Sequence, residues 1–195
     1  MRNTLVIDLD RCIGCYSCAV ACKTENDIPL GTYWNKVIEM GPTINDRGKK
    51  ETYWLPVQCQ QCENAPCIHV CPTGASYRDE ESGIVLIDKE KCIGCKYCMM
   101  ACPYGVRTWS ETEQCVEKCT LCGQRTSAGE QPACVAACCA EARFYGDLDD
   151  PASDVARAVA AADPKSVHAL MNVGNDPTTA YLLSESVAAW KGGDN

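Results

Sequence analysis

Residues 11–23 read R-C-I-G-C-Y-S-C-A-V-A-C-K, and residues 91–103 read K-C-I-G-C-K-Y-C-M-M-A-C-P. Cys12, Cys15, Cys18 and Cys22 therefore follow C-x-x-C-x-x-C-x-x-x-C, and Cys92, Cys95, Cys98 and Cys102 repeat that spacing with Pro103 behind the last cysteine. Three thiolates two residues apart let a short loop wrap one corner of a [4Fe-4S] cube, each on its own iron, with backbone N–H groups turned toward the sulfides. The fourth iron faces away and takes its ligand from elsewhere. In two-cluster ferredoxins the fourth cysteine of each run serves the other cluster, so such runs work in pairs. Gly14 and Gly94 suit a backbone that must approach a cluster and take unusual dihedrals. Pro72 and Pro103, each after a fourth cysteine, block helix continuation and redirect the chain.

Two looser runs lie between and after these. Cys59, Cys62, Cys67 and Cys71 have a longer middle gap, and Cys119, Cys122, Cys134 and Cys138 have one of residues 123–133. The four runs use all but two of the 18 cysteines, leaving Cys115 and Cys139 as spares that read as free buried thiols. Four motifs predict two pairs and four [4Fe-4S] clusters, with all these motif cysteines as iron ligands. A disulfide framework fits poorly, because the spacing is that of a metal site and the strand-like start leaves no room for a secretion signal. Zinc is the stronger rival, since motifs two and four taken alone could be ribbons of four cysteines. Zinc knuckles usually come as two separated C-x-x-C pairs, whereas here three ligands crowd within seven residues and a fourth follows, twice over.

At 195 residues the chain suits one domain or two small ones sharing a core. With aromatics at 7%, the clusters must stand in for much of the hydrophobic core, so no stable fold is expected without them. The formal charge is −8 and the pI about 4.8. Each oxidised cube with four thiolates adds roughly −2 more. No basic patch with interleaved aromatics suggests nucleic acid, and no apolar run has the length of a membrane span.

Along the chain, Thr4–Asp8 reads as a strand feeding motif one, and Tyr16–Lys23 as a short helix carrying Cys18 and Cys22. Residues 26–51 form a long polar connection with a hairpin in prospect, followed by a strand over Thr52–Gln58. Ser76–Asp79 and Ile84–Asp88 read as a hairpin between motifs two and three, and Arg107–Ser110 as a strand after motif three. Arg143–Tyr145 is a predicted strand ended by Gly146, and Asp150-Pro151 opens a predicted helix through Ala162. The remainder carries no recognisable chemistry, and its last residues are expected to be disordered. Strand, cluster motif and short helix thus recur, in the manner of bacterial ferredoxin halves.

These motifs, in this order, resemble the four-cluster ferredoxin-like subunits of the molybdopterin oxidoreductases, the dimethyl sulfoxide reductase and polysulfide reductase iron–sulfur subunits. The similarity covers about residues 1–150 and includes K-C-I-G-C-K-Y-C-M-M-A-C-P-Y-G-V-R and F-Y-G-D-L-D-D-P. It implies an α+β fold of two bacterial-ferredoxin-like modules, the second inserted into the first, with a C-terminal extension. Residues 1–50 with 112–148 would form the outer module, 51–111 the inner one, and 149–195 a helix and tail. It further implies that motif one pairs with motif four and motif two with motif three. Cys12, Cys15 and Cys18 would then share a cube with Cys138, and Cys119, Cys122 and Cys134 with Cys22. Cys59, Cys62 and Cys67 would share one with Cys102, and Cys92, Cys95 and Cys98 with Cys71. Some relatives lose the second cysteine of motif three and hold a three-iron cluster; Cys95 is present here. The position after Cys138, commonly proline, is Cys139.

Lys91, Lys96, Lys118 and Arg107 lie beside the motifs, where positive charge raises a cluster's potential, although each alone reads as a solvated surface charge. His69, between Cys67 and Cys71, reads as a neighbour of a site rather than a ligand, and His168 has no companions that suggest one. No nucleophile–base set or phosphate loop stands out, so the chain is expected to pass single electrons and to have no catalytic site of its own. The resemblance implies a large molybdenum or tungsten bis-pterin catalytic partner, with a membrane quinone-reactive or haem subunit beyond it. The alternatives are a freestanding polyferredoxin, a structural zinc protein, and a hydro-lyase, the last disfavoured because every motif is complete. Export with a partner and residence in the cytoplasm both fit the sequence.

Overall fold

The computed structural model describes residues 1–45 and 48–193. Among these residues ten strands and six α-helices surround the cysteine motifs. They are β1 (Asn3–Asp8), α1 (Ser17–Glu25), β2 (Lys36–Ile44), β3 (Lys50–Val57), α2 (Pro66–His69), β4 (Ser76–Arg78), β5 (Val85–Ile87) and α3 (Tyr97–Met100). After these come β6 (Thr108–Ser110), β7 (Cys115–Glu117), α4 (Gly123–Thr126), α5 (Ala133–Ala136), β8 (Arg143–Asp147), α6 (Asp154–Ala161), β9 (Val167–His168) and β10 (Ala180–Leu182). The mixture of small helices and strands is the α+β class expected from the sequence.

One sheet organises the molecule, in the order β8-β1-β10-β9. Strand β1 runs antiparallel to β8 and parallel to β10, with Val6 opposite both Phe144 and Ala180. A central strand must bury both faces, and β1 does: Leu5 and Ile7 face the cysteine-rich core, while Val6 packs with Val155 of α6 and with Leu182. Three two-stranded hairpins complete the frame, β2-β3, β4-β5 and β6-β7.

Several expectations shift by a few residues for local reasons. The connection over residues 26–51 contains β2, which pairs along β3 with a register break between Met40 and Thr43, so the hairpin is there and its second strand begins at Lys50. Gly146 does not end β8: it pairs with Thr4, and the strand runs on to Asp147. The helix expected from Asp150-Pro151 starts at Asp154, because Ser153 is the residue that caps it, its Oγ accepting the Ala156 N–H at 3.1 Å. Strand β7, which no sequence pattern announced, closes against β6 with Ser110 opposite Cys115.

The larger difference is at the C-terminus. Residues after Ala162 supply β9 and β10 to the central sheet, and Tyr181 is fully buried, its hydroxyl donating to Pro56 O at 3.1 Å and accepting from Gln60 Nε2 at 3.0 Å. Trp190 stacks on His168 with ring centres 4.9 Å apart and also meets Tyr53 and Tyr181. This segment is part of the core. The disorder expected for the last residues concerns Asp194 and Asn195, which lie outside the described residues.

Candidate iron–sulfur cluster sites

The four motifs share one backbone feature. The residue before the second cysteine is left-handed in all four: Gly14 at φ 66°, Gln61 at 49°, Gly94 at 68° and Leu121 at 55°. Only motifs one and three use glycine there, so the repeat is hidden from sequence in motifs two and four. At Gly14 and Gly94 a side chain would meet an indole ring: an added Cβ would lie 2.2 Å from Trp54 and 2.9 Å from Trp109. From sequence these glycines serve cluster approach; packing against tryptophan is a second constraint that only the fold reveals.

These turns gather the thiols around cavities. One is lined by Cys71, Cys92, Cys95 and Cys98. Another is lined by Cys59, Cys62, Cys67 and Cys102. A third is lined by Cys22, Cys119, Cys122 and Cys134. Each of the three contains three cysteines of one motif and the fourth of another. Near the surface, Cys12 lies close enough to Cys18 and Cys138 to feel both their charges. The sets are called below the Cys92, Cys59, Cys119 and Cys12 quartets. In keeping with them, α1 packs against α5 and α2 against α3.

Burial separates the quartets. Cys22, Cys119, Cys122 and Cys134 are all buried, as are Cys59, Cys62 and Cys67, whereas Cys15 and Cys95 are exposed. Desolvation, followed by the neighbouring Cys134 and Cys122, pushes the Cys22 thiol up to about 12, and desolvation pushes Cys62 up to about 11. Cys119 is raised well above the ordinary thiol range, by burial first and then by Cys22, Cys134 and Cys59. At the rims, Cys15 is lowered by the Ser17 hydroxyl and backbone, and Cys71 is lowered on balance because the Ser76 N–H and other donors outweigh its partial burial.

Donors converge on the sulfurs. Arg107 Nη2 donates to Cys67 Sγ at 2.8 Å and to Ser76 Oγ at 2.9 Å. The Ser76 and Ala142 N–H groups each reach the fourth cysteine of a motif, Cys71 and Cys138, at 3.3 Å. Asn175 Nδ2 donates to Cys62 Sγ at 3.0 Å and to Tyr104 Oη at 2.7 Å. Asn175 stands in a loop folded by Asn172, whose Oδ1 accepts the N–H groups of Gly174, Asn175 and Asp176. Sequence reading missed it, since nothing local ties residue 175 to Cys62; the polar N-V-G-N-D stretch was the sole signal.

Of the four cations flagged from sequence, Lys91 and Lys96 are exposed, Lys91 pairing with Asp88 at 2.9 Å and Lys96 lying over the Trp109 ring. Arg107 and Lys118 correct the expectation of solvated charges: they are 4% and 2% exposed. Arg143, which in sequence reads only as the start of a strand, is 4% exposed and lines the Cys119 cavity. Its burial opposes its charge, but Cys134 and Cys18 outweigh that and raise its pKa overall. His69 is exposed and bonded to Asn64. Of the spare thiols, Cys115 is buried in β7 as expected, while Cys139 is exposed with its Sγ 3.8 Å from Cys15 Sγ, because it follows Cys138 at the surface end of motif four.

The surroundings fit a group that is anionic at its rim and cationic at its centre. Buried N–H groups of Arg107 (Nη1) and Arg143 (Nε and Nη1) have no protein acceptor, and sulfide is such an acceptor. Gathered thiolates that raise one another's pKa need positive charge among them, which iron supplies. Among the described residues no three His, Cys, Asp or Glu side chains close on a single point as one metal ion requires; the quartets ring cavities instead.

The chain's likeness to known proteins agrees with these sites. Residues 50–148 and residues 11–75 each match a 4Fe-4S dicluster domain. A Halobacterium salinarum protein named as a dimethyl sulfoxide reductase iron–sulfur subunit is 44% identical, covering 93% of this chain and 79% of its own. A sulfite dehydrogenase subunit of Allochromatium vinosum is 39% identical, covering 91% of this chain and 81% of its own. The arsenate respiratory reductase iron–sulfur subunit of Shewanella sp. is 36% identical, covering 96% of this chain and 98% of its own.

Proposed function

The chain belongs to the family of iron–sulfur subunits of the molybdopterin oxidoreductases, and from that premise we propose that it carries four [4Fe-4S] clusters in one line. The protein transfers electrons and leaves substrate chemistry to a catalytic partner. Bound cubes would each accept and release one electron. The observation that carries the reading is the lining of the three similar cavities, in which the fourth cysteine comes from another motif each time. By the same pattern Cys138 completes the set of Cys12, Cys15 and Cys18. The cysteines of motifs two and three then form an inner ferredoxin-like module set within an outer one built from motifs one and four.

The order in the line follows from neighbours. Arg107 lines both the Cys92 and the Cys59 cavities, Cys119 lies within electrostatic reach of Cys59, and Cys134 within reach of Cys18. The sequence is Cys92, Cys59, Cys119, Cys12, with the exposed Cys95 and Cys15 at its ends. The protein's own work is to hold the thiols, exclude water from the two middle quartets and leave the ends open. One end would face a molybdenum or tungsten bis-pterin catalytic subunit and the other a redox partner, a membrane quinone or haem subunit or a soluble carrier. Among the described residues no helix is long and apolar enough to cross a membrane, and this protein would reach its compartment, inside or outside the cytoplasm, together with that partner.

The test is anaerobic purification from the native host without dissociation. Copurification of a large subunit with molybdenum or tungsten is expected. Recovery of the iron-loaded chain alone, with neither metal in any fraction that binds it, would favour the freestanding carrier.

A further inference from the structure

Among the described residues three cationic side chains are buried next to the cysteine quartets, and their positions alternate with the quartets. Arg107 lines the Cys92 cavity and the Cys59 cavity and donates to Cys67 Sγ. Lys118 donates to Val85 O, whose residue lines the Cys59 cavity, and to Cys119 O at 2.8 Å in the next quartet. Arg143 lines the Cys119 cavity, donates to Gln58 Oε1 at 3.1 Å, and acts on Cys134 of that quartet and Cys18 of the next. None of the three has a carboxylate partner among the hydrogen bonds or ion pairs of the described residues. Isolated buried charges are costly unless they face opposite charge. For Arg107 and Arg143 the opposite charges at hand are the motif thiolates.

We propose that Arg107, Lys118 and Arg143 are positioning charges, one between each pair of neighbouring clusters, that hold the potentials of both neighbours up and screen their mutual repulsion. The inference rests on the four-cluster reading above. Neighbouring cubes carry roughly −2 each before reduction, so an electron placed on one repels an electron on the next through a medium of low dielectric. A fixed cation between them lowers the energy of either reduced state. Because each cation has two neighbours, the middle clusters each feel two cations and the end clusters one.

This pattern can be tested by redox titration followed by electron paramagnetic resonance, on the anaerobically isolated protein and on Arg107→Gln, Lys118→Gln and Arg143→Gln. Each neutral variant should lower two of the four midpoint potentials by at least tenfold in the reduced-to-oxidised ratio, about 59 mV for one electron. One potential should respond to both Arg107→Gln and Lys118→Gln, and another to both Lys118→Gln and Arg143→Gln. Arg107→Lys, which keeps the charge but not the planar fork, should restore the potentials. If Arg107→Gln fails to take up iron, full uptake by Arg107→Lys supports the charge, and failure of both assigns the residue to folding and overturns the proposal. Fully loaded Gln variants with all potentials unmoved also overturn it. A wild-type protein whose iron falls well short of four cubes would instead contradict the four-cluster reading.

Discussion

Along the proposed line, the two middle quartets and the two end quartets share a left-handed residue before the second cysteine, yet they differ in how far their most exposed thiols reach solvent. In the middle, burial and neighbouring thiols raise Cys22, Cys62 and Cys119, and Asn175 and Tyr104 from distant parts of the chain close over Cys62. At the ends, Cys15 and Cys95 are exposed, beside the apolar Ile13, Tyr16 and Val20 at one end and Ile93, Tyr97 and Met100 at the other. The difference teaches that the middle of the line is a folding core and the ends are surfaces. A thiol in the core has no soluble state to fall back on, whereas a thiol at the rim can be released to water.

The strongest challenge to that contrast is one ligand from each class. Cys119→Ser should abolish the folded protein or cut its iron by more than the share of one cluster, while Cys95→Ser should cost one cluster's iron and leave the remainder in place; iron content and circular dichroism of both variants decide. Equal losses would erase the distinction. Next comes the C-terminal segment that seals the middle. Tyr181→Ala should destabilise by about 3–5 kcal/mol, the range for deleting a large buried aromatic side chain, read as a lower midpoint of thermal unfolding. Were Tyr181→Ala silent, the segment after Ala162 would be dispensable packing.

A finer comparison sets the two ends against each other. Gly14→Ala and Gly94→Ala both force a left-handed residue, costing about 1–2 kcal/mol, but the Trp54 ring is closer to the new Cβ than the Trp109 ring is. Gly14→Ala should therefore lower the melting temperature more than Gly94→Ala, and the reverse order would mean that cluster approach, not tryptophan, sets the constraint. The smallest effect is expected at Asn175→Ala. Losing one neutral donor to a sulfur should cost about 1 kcal/mol and lower the potential of the Cys59 cluster alone, measured by redox titration.

What could be read in the chain divides along similar lines. The cysteine motifs were legible because cluster geometry imposes a spacing along the chain: Cys12 to Cys22 and Cys92 to Cys102 carry it in eleven residues apiece. The left-handed turns at Gln61 and Leu121 were not, since neither residue type announces φ above zero, and only the cysteines beside them mark the repeat. Strand β10 stayed hidden because three residues, Ala180–Leu182, gain their stability from pairing with β1 at the opposite end of the chain, which no local periodicity encodes. Arg143 was overlooked for a related reason. A lone arginine opening a strand looks ordinary until the fold sets it between Cys134 and Cys18.

The proposed function requires each of four thiol quartets to hold a cube, and counting iron and inorganic sulfide in the anaerobically isolated protein tests this most directly. About sixteen iron and as many sulfide per chain are expected. About half that number in a fully folded protein, or zinc in place of iron, would contradict it.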